Sequence, residues 1–88
     1  MKIKKEFMLR EVANNYIVVP VGRASKTFNG MITLNESSAY LWRQLSENIT
    51  IEELIQRLMN EYDIDICLAT HDVNAFISKL KEINVLEE

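Results

Sequence analysis

One stretch of the sequence, residues 31–45 (MITLNESSAYLWRQL), constrains the fold more than any other. Its first four residues are apolar or β-branched, which favours a short strand over residues 31–34. Asn35 follows at once, and its side-chain oxygen can accept a backbone N–H bond at the start of a helix. Apolar residues then recur at helical spacing around Trp42. The stretch therefore predicts a strand that runs directly into a helix, with other strands before it and other helices after it.

The residues before this stretch predict a β-hairpin. Apolar side chains fall on alternate sides in residues 7–12 (FMLREV), and residues 16–21 (YIVVPV) are rich in β-branched types. The turn-forming residues 13–15 (ANN) separate the two segments. A polar loop over residues 22–30 then leads to the third strand.

The residues after it predict two more helices. Thr50 and Glu53 have the spacing of a capping box, which opens a second helix with an apolar stripe ending at Tyr62. Residues 63–65 (DID) break that helix and can cap a third over residues 67–82. The third helix presents one apolar face, formed by Ala69, Val73, Phe76, Ile77 and Leu80. An apolar tail, residues 83–86, is expected to fold back onto the core.

Three strands followed by three helices predict an α+β, winged-helix-like fold, and 88 residues suffice for a single domain over residues 1–88. The composition, with 48% hydrophobic and 26% charged residues, is that of a globular protein. No apolar run is long enough to span a bilayer, and the N-terminus lacks the apolar core of a signal peptide. The single cysteine excludes an intrachain disulfide, so we expect a reduced, cytoplasmic setting and no membrane association.

The sequence offers little support for catalysis or for a cofactor. Cys67 and His71 are four residues apart on the third predicted helix, but no further ligands accompany them for a metal and no third group orients them as a catalytic pair. We expect a partly buried cysteine and a surface histidine. Gly22 and Gly30 are the only glycines, which excludes a glycine-rich phosphate loop. We predict no catalytic, metal-binding or cofactor-binding residues.

A winged-helix-like fold makes DNA binding an alternative. The charged residues of the third helix, Asp72, Lys79, Lys81 and Glu82, sum to zero, whereas DNA-binding surfaces carry a basic patch. Residues 1–34 instead hold six cations and two acids, and residues 35–88 hold four cations and eleven acids. The charges therefore argue against nucleic acid as the partner.

Peptide binding suits the predicted architecture better. A third strand at the edge of a small sheet, beside an amphipathic helix, forms a groove in which an extended peptide can add as a further strand. The residues alone do not identify the peptide.

Four short motifs give a more specific indication. They are residues 32–42 (ITLNESSAYLW), 51–55 (IEELI), 61–63 (EYD) and 72–76 (DVNAF), the last followed by Leu80. Their order and spacing resemble the PqqD-like family, which is named for pyrroloquinoline quinone biosynthesis protein D. The resemblance covers about residues 7–86.

The resemblance implies a RiPP recognition element, a non-catalytic domain that serves ribosomally synthesised and post-translationally modified peptides. Such a domain holds the leader segment of a precursor peptide and presents it to a modifying enzyme, often a radical-SAM protein. In the family the leader docks between the third strand and the third helix, which here means residues 31–34 and 71–79. The implied peptide-binding residues are Met31, Ile32, Thr33, Leu34, Asp72, Ala75, Phe76 and Lys79.

The sequence departs from the family pattern at two places. Ser37 and Ser38 stand where the family usually has Thr-Gly, a change with no obvious bearing on the groove. Asn84 stands near the end of the last helix in place of glycine, and asparagine also tolerates a left-handed cap. Two alternatives stay open beside peptide capture: a winged-helix DNA-binding regulator and a structural subunit of an enzyme complex. The exposed strand edge could also pair with its own copy to form a homodimer.

Overall fold

The computed structural model describes residues 1–23 and 32–87. The strands are β1 (Lys2–Ile3), β2 (Phe7–Val12), β3 (Asn15–Pro20), β4 (Ile32–Leu34) and β5 (Leu86–Glu87), and the helices are α1 (Glu36–Gln44), α2 (Ile51–Tyr62) and α3 (Ile66–Glu82). The predicted α+β order of strands followed by three helices is confirmed. Met31 and residues 24–30 of the predicted loop lie outside the described residues.

The predicted hairpin is formed by β2 and β3, which pair in antiparallel register. Ala13 and Asn14 make the turn, and both have positive φ angles, of 50° and 68°. A two-residue turn with positive φ at both positions has a twist that matches the twist of its strands. Asn15 therefore belongs to β3, where it pairs with Val12.

The three-stranded sheet has the order β2-β3-β4, so β4 is an edge strand in the described part of the chain. The register pairs Tyr16 with Leu34 and Val18 with Ile32. Since side chains alternate along a strand, these residues share one face of the sheet, and on that face Val18 and Leu34 are buried against the helices. β4 runs directly into α1, as predicted.

Each helix begins at a side-chain cap that the sequence predicts. The Oδ1 of Asn35 accepts a hydrogen bond from the N–H of Ser38 at 2.8 Å. Thr50 forms both bonds of the predicted capping box. Asp65 caps α3 by accepting a hydrogen bond from the backbone N–H three residues on. The caps satisfy backbone donors that the first turn of a helix leaves unpaired.

One apolar core joins the sheet to the helices. Trp42 of α1 is only 6% exposed and belongs to this core, as predicted. The predicted apolar face of α3 is also buried, and its members are Ala69, Val73, Phe76, Ile77 and Leu80.

The N-terminus and the C-terminal tail form a second sheet that the sequence analysis missed. β1 pairs with β5 in antiparallel register, and the N–H of Ile3 also donates to the carbonyl of Leu45 at 3.0 Å. Val85 and Leu86 are buried, so the tail does fold onto the core. Asn84 turns the chain with a φ of 61°, the left-handed conformation expected of it. Strands of two residues are too short to leave a periodic pattern in the sequence.

Candidate functional site

A groove of about 270 Å³ lies between the start of α1 and the middle of α3. The α1 wall of this groove comprises Asn35, Ser37, Ser38 and Leu41, and the α3 wall comprises Asp72, Ala75, Phe76 and Lys79. The four α3 residues that the resemblance implies therefore lie together in one groove. None of the residues of β4 lines the cavity itself.

The α3 wall follows from helical periodicity. Positions i, i+3, i+4 and i+7 share one face of a helix, and the four wall residues have this spacing. Phe76 is 6% exposed, so its ring belongs to the core while it also lines the groove. Ala75 is exposed beside it and leaves room because its side chain is small.

The same wall carries one charge of each sign. Asp72 is half-buried and Lys79 is exposed. They are about 10 Å apart along the helix axis, because a helix rises about 1.5 Å per residue. Neither forms an ion pair with any residue in the described ranges. Both charges are therefore available to a bound molecule.

The α1 wall is held rigid by the helix cap. The Oδ1 of Asn35 accepts a bond from the N–H of Ser38 at 2.8 Å and a second from the Oγ of Ser37 at 3.1 Å. The predicted site residues did not include Asn35, Ser37, Ser38 or Leu41. The two serines that replace the Thr-Gly of the family pattern line the groove. The sequence carries no local signal for this wall, because its place beside α3 is set by tertiary packing.

The backbone of β4 is the other part of the candidate site. The hydrogen bonds of the hairpin determine to which side its N–H and carbonyl groups point. The N–H of Val21 donates to the carbonyl of Glu6 at 2.7 Å, and this pair continues the β2–β3 register by one position. Hydrogen-bonded and non-hydrogen-bonded pairs alternate along an antiparallel ladder. The N–H and carbonyl groups of Tyr16 and Val18 must therefore point away from β2 and towards β4.

The alternation continues across the next ladder. Tyr16 and Val18 form the hydrogen-bonded pairs with Leu34 and Ile32, so Thr33 occupies the non-hydrogen-bonded position between them. Its N–H and carbonyl thus point away from the sheet, towards an edge on which no described strand pairs. The side chain of Thr33 is exposed, that of Ile32 is half-buried and that of Leu34 is buried. β4 offers an open backbone edge at Thr33.

The structure also shows the exposure of Cys67 and His71, the two residues considered as a metal-binding or catalytic pair. Cys67 is exposed, so the expectation that it is partly buried is wrong, whereas His71 is exposed as predicted. Within residues 1–23 and 32–87, no three His, Cys, Asp or Glu side chains cluster as metal ligands would. No helix in the same ranges has the length and apolar character needed to cross a membrane.

Comparisons with known proteins identify the family and similar folds. The family model described as coenzyme PQQ synthesis protein D (PqqD) matches residues 15–86. A search of curated protein sequences finds no match. The fold is similar to that of TbiB1, solved in complex with the TbiA(β) leader peptide, with 21% identity, a TM-score of 0.78 and coverage of 99% of this chain and 95% of that one. It is also similar to lasso peptide synthetase B1 complexed with the leader peptide, with 20% identity, a TM-score of 0.75 and coverage of 99% and 96%.

Proposed function

Because this chain belongs to the PqqD family, we propose that it is a non-catalytic peptide chaperone. It binds the leader segment of a ribosomally made precursor peptide and presents that peptide to a modifying enzyme of the radical-SAM type. It acts as one domain, without a cofactor, in the cytoplasm where such precursors are made. The observation that carries the proposal is the outward-facing backbone of Thr33, next to a groove lined by α1 and α3.

The leader adds as a strand to β4. Its backbone pairs with the N–H and carbonyl of Thr33. Hydrogen bonds of this kind are made by any peptide backbone, so they supply affinity with little selectivity. Selectivity comes from the side chains of the leader that enter the groove.

The face of α3 sets the length and character of the bound segment. Leu68, which is 47% exposed, continues the groove face one turn before Asp72. The distance along the axis from Leu68 to Lys79 is about 16 Å, which equals about five residues of an extended strand. The segment places an apolar side chain over Ala75 and Phe76, a basic residue near Asp72 and an acidic residue near Lys79.

The solved relatives support this reading, since both are described as complexes with a leader peptide and both share the fold. Charge argues against the DNA-binding alternative: α3 lacks the basic face that phosphate contacts need. The remaining alternatives are a structural subunit, which would not need an open groove, and a homodimer, in which β4 would pair with its own copy.

The test is an NMR titration of the isotope-labelled full chain with the leader half of a precursor peptide encoded beside its gene. We expect the amide signals of residues 32–35 and 71–79 to shift together and to saturate. A modifying enzyme that binds this chain while the leader leaves every signal in place would support the structural subunit instead. Shifts at β4 that depend on protein concentration, with no peptide added, would indicate the homodimer.

A further inference from the structure

A second cavity, of about 400 Å³, lies at the N-terminus and shares no residue with the groove. We call it the N-terminal cleft, and its lining residues are Lys2, Ile3, Lys4, Lys5, Phe7, Trp42, Arg43 and Ser46. It is formed by β1, the start of β2 and the end of α1. The proposed peptide chaperone function makes no use of it.

The floor of the N-terminal cleft is apolar. Ile3 is 8% exposed, Trp42 is 6% exposed, and Phe7 is half-buried between them and the solvent. An apolar side chain of moderate size, such as leucine or phenylalanine, could bury its surface here, at about 25 cal/mol for each Å² removed from water.

The rim of the cleft is basic. Lys2, Lys4, Lys5 and Arg43 surround the floor, and none of these four forms an ion pair with a residue in the described ranges. The guanidinium of Arg43 stacks over the ring of Tyr16 at 5.4 Å, which holds it in place without neutralising it. Two carboxylates are close in sequence or register: Glu6 follows the lysines, and Glu87 is the register partner of Lys2.

The backbone under this rim is fixed before any ligand arrives. The N-terminal ammonium of Met1 donates to the Oδ1 of Asn48 at 2.8 Å, and the carbonyl of Met1 accepts from the N–H of Ile49 at 3.0 Å. The N–H of Lys4 donates to the carbonyl of Val85 at 2.9 Å. Because this backbone is already ordered, less conformational entropy is lost when a partner binds.

The cleft and the groove can be occupied at the same time. The cleft is lined by residues of β1, the start of β2 and the end of α1, and no residue lines both the cleft and the groove. A leader strand added to β4 would therefore leave the cleft open.

We propose that the N-terminal cleft docks an acidic segment of a partner protein. One apolar side chain of that segment enters the floor between Ile3, Phe7 and Trp42, and its carboxylates approach the lysines. The apolar floor favours a peptide that carries an apolar side chain over a phosphate backbone, which has no apolar group to bury there. The docking surface is independent of the groove, so either proposal can fail without the other.

The test uses the full chain and a synthetic amidated peptide in which glutamates alternate with leucine and phenylalanine. Trp42 is the only tryptophan, so its indole N–H signal in an NMR spectrum reports on the cleft directly. We expect this signal and the amides of residues 2–5 to shift with the acidic peptide and not with a peptide in which lysines replace the glutamates. The Thr33→Pro variant, which blocks strand addition, should respond as the natural chain does.

A matched pair of charge reversals sharpens the test. The double variant Lys4→Glu with Lys5→Glu places like charges opposite the probe, so its affinity should fall by about tenfold or more. The double variant Arg10→Glu with Arg23→Glu changes the net charge equally at positions outside the cleft and should keep the affinity. Equal loss in both variants would overturn the proposal, because net charge alone would then explain binding.

Three other outcomes would also overturn it. Shifts confined to residues 32–35 and 71–79 would mean that the probe occupies the groove. Tighter binding of single-stranded DNA or of anionic lipid vesicles than of the acidic peptide would mean that the cations of the rim bind phosphate. Shifts of the Trp42 indole signal that grow with protein concentration alone would make a second copy of this chain the occupant.

Discussion

The groove and the N-terminal cleft are both floored by an aromatic side chain that is 6% exposed, Phe76 in one and Trp42 in the other. They differ in what surrounds that floor. The groove is lined by Asn35, two residues after the open strand edge at Thr33, and has one charge of each sign on its α3 wall. The cleft has four cations on its rim, and its β1 strand is already paired with β5. The two proposals therefore assign two kinds of recognition to one small core, the first through backbone hydrogen bonds and the second through charge.

The largest effect should come from truncating the floor of the cleft. Trp42→Ala removes a buried ring from the core and should lower the free energy of unfolding by about 3–5 kcal/mol. Urea unfolding followed by circular dichroism measures this loss. A loss below about 1 kcal/mol would mean that Trp42 serves the cleft alone and not the core that both sites share.

The next largest effect should fall on the groove and on leader binding. Thr33→Pro removes the N–H that faces the open edge and leaves a leader carbonyl without its donor, which costs about 1–3 kcal/mol of binding free energy. Isothermal titration with the leader peptide measures this as a loss of roughly tenfold or more in affinity. Unchanged affinity would contradict strand addition at β4.

Two variants control for the side chain and for the fold. Thr33→Ala keeps the backbone N–H and should bind the leader nearly as the natural chain does. Ile32→Pro removes a donor that the register directs towards β3, so it should lower the free energy of unfolding instead. If Ile32→Pro leaves the stability unchanged while Thr33→Pro unfolds the chain, then the N–H of Thr33, and not that of Ile32, points towards β3.

The helices could be predicted because their signals are local. Asn35, Thr50 and Asp65 each cap a helix through an oxygen that binds an N–H within three residues, so the sequence neighbourhood alone determines the start. The α3 wall of the groove was found for the same reason, since Asp72 and Lys79 share a face by helical spacing alone.

The features that the sequence did not disclose depend on contacts between distant segments. β1 and β5 exist only because Ile3 meets Leu86 at the other end of the chain. The excess of cations in residues 1–34 is evident in the sequence, but its concentration around Trp42 follows from that pairing. The α1 wall was missed likewise, because its place beside α3 is a matter of tertiary packing.

The salt dependence of binding should differ between the two sites. Raising the ionic strength from about 0.01 M to about 1 M shortens the Debye length from about 30 Å to about 3 Å. We expect the affinity of the acidic probe for the cleft to fall by about tenfold or more, while the affinity of the leader for the groove changes by less than about threefold. Parallel titrations at the two salt concentrations measure both. Equal salt dependence would remove the distinction between backbone and charge recognition.

Two helix caps offer a smaller and more selective comparison. Asn35→Ala and Asp65→Ala each remove a cap and should each lower the free energy of unfolding by about 1 kcal/mol. Asn35 lines the groove and positions Ser37 and Ser38, whereas Asp65 does not line it. Leader affinity should therefore fall in Asn35→Ala and stay in Asp65→Ala. Equal leader affinity in the two variants would show that the α1 wall does not contact the leader.

The smallest effect should come from Lys79, whose side chain is exposed on the α3 wall. An exposed ion pair contributes about 0–1 kcal/mol, so Lys79→Ala should weaken leader binding by at most about fivefold. The loss should vanish when the acidic residue of the leader that faces Lys79 is also replaced, and a double-mutant cycle on the two changes measures that coupling. Since Lys79 lies outside the N-terminal cleft, the acidic probe should bind Lys79→Ala as before. A loss of probe binding in this variant would show that the two sites are energetically coupled. They would then not be independent, although they share no residue.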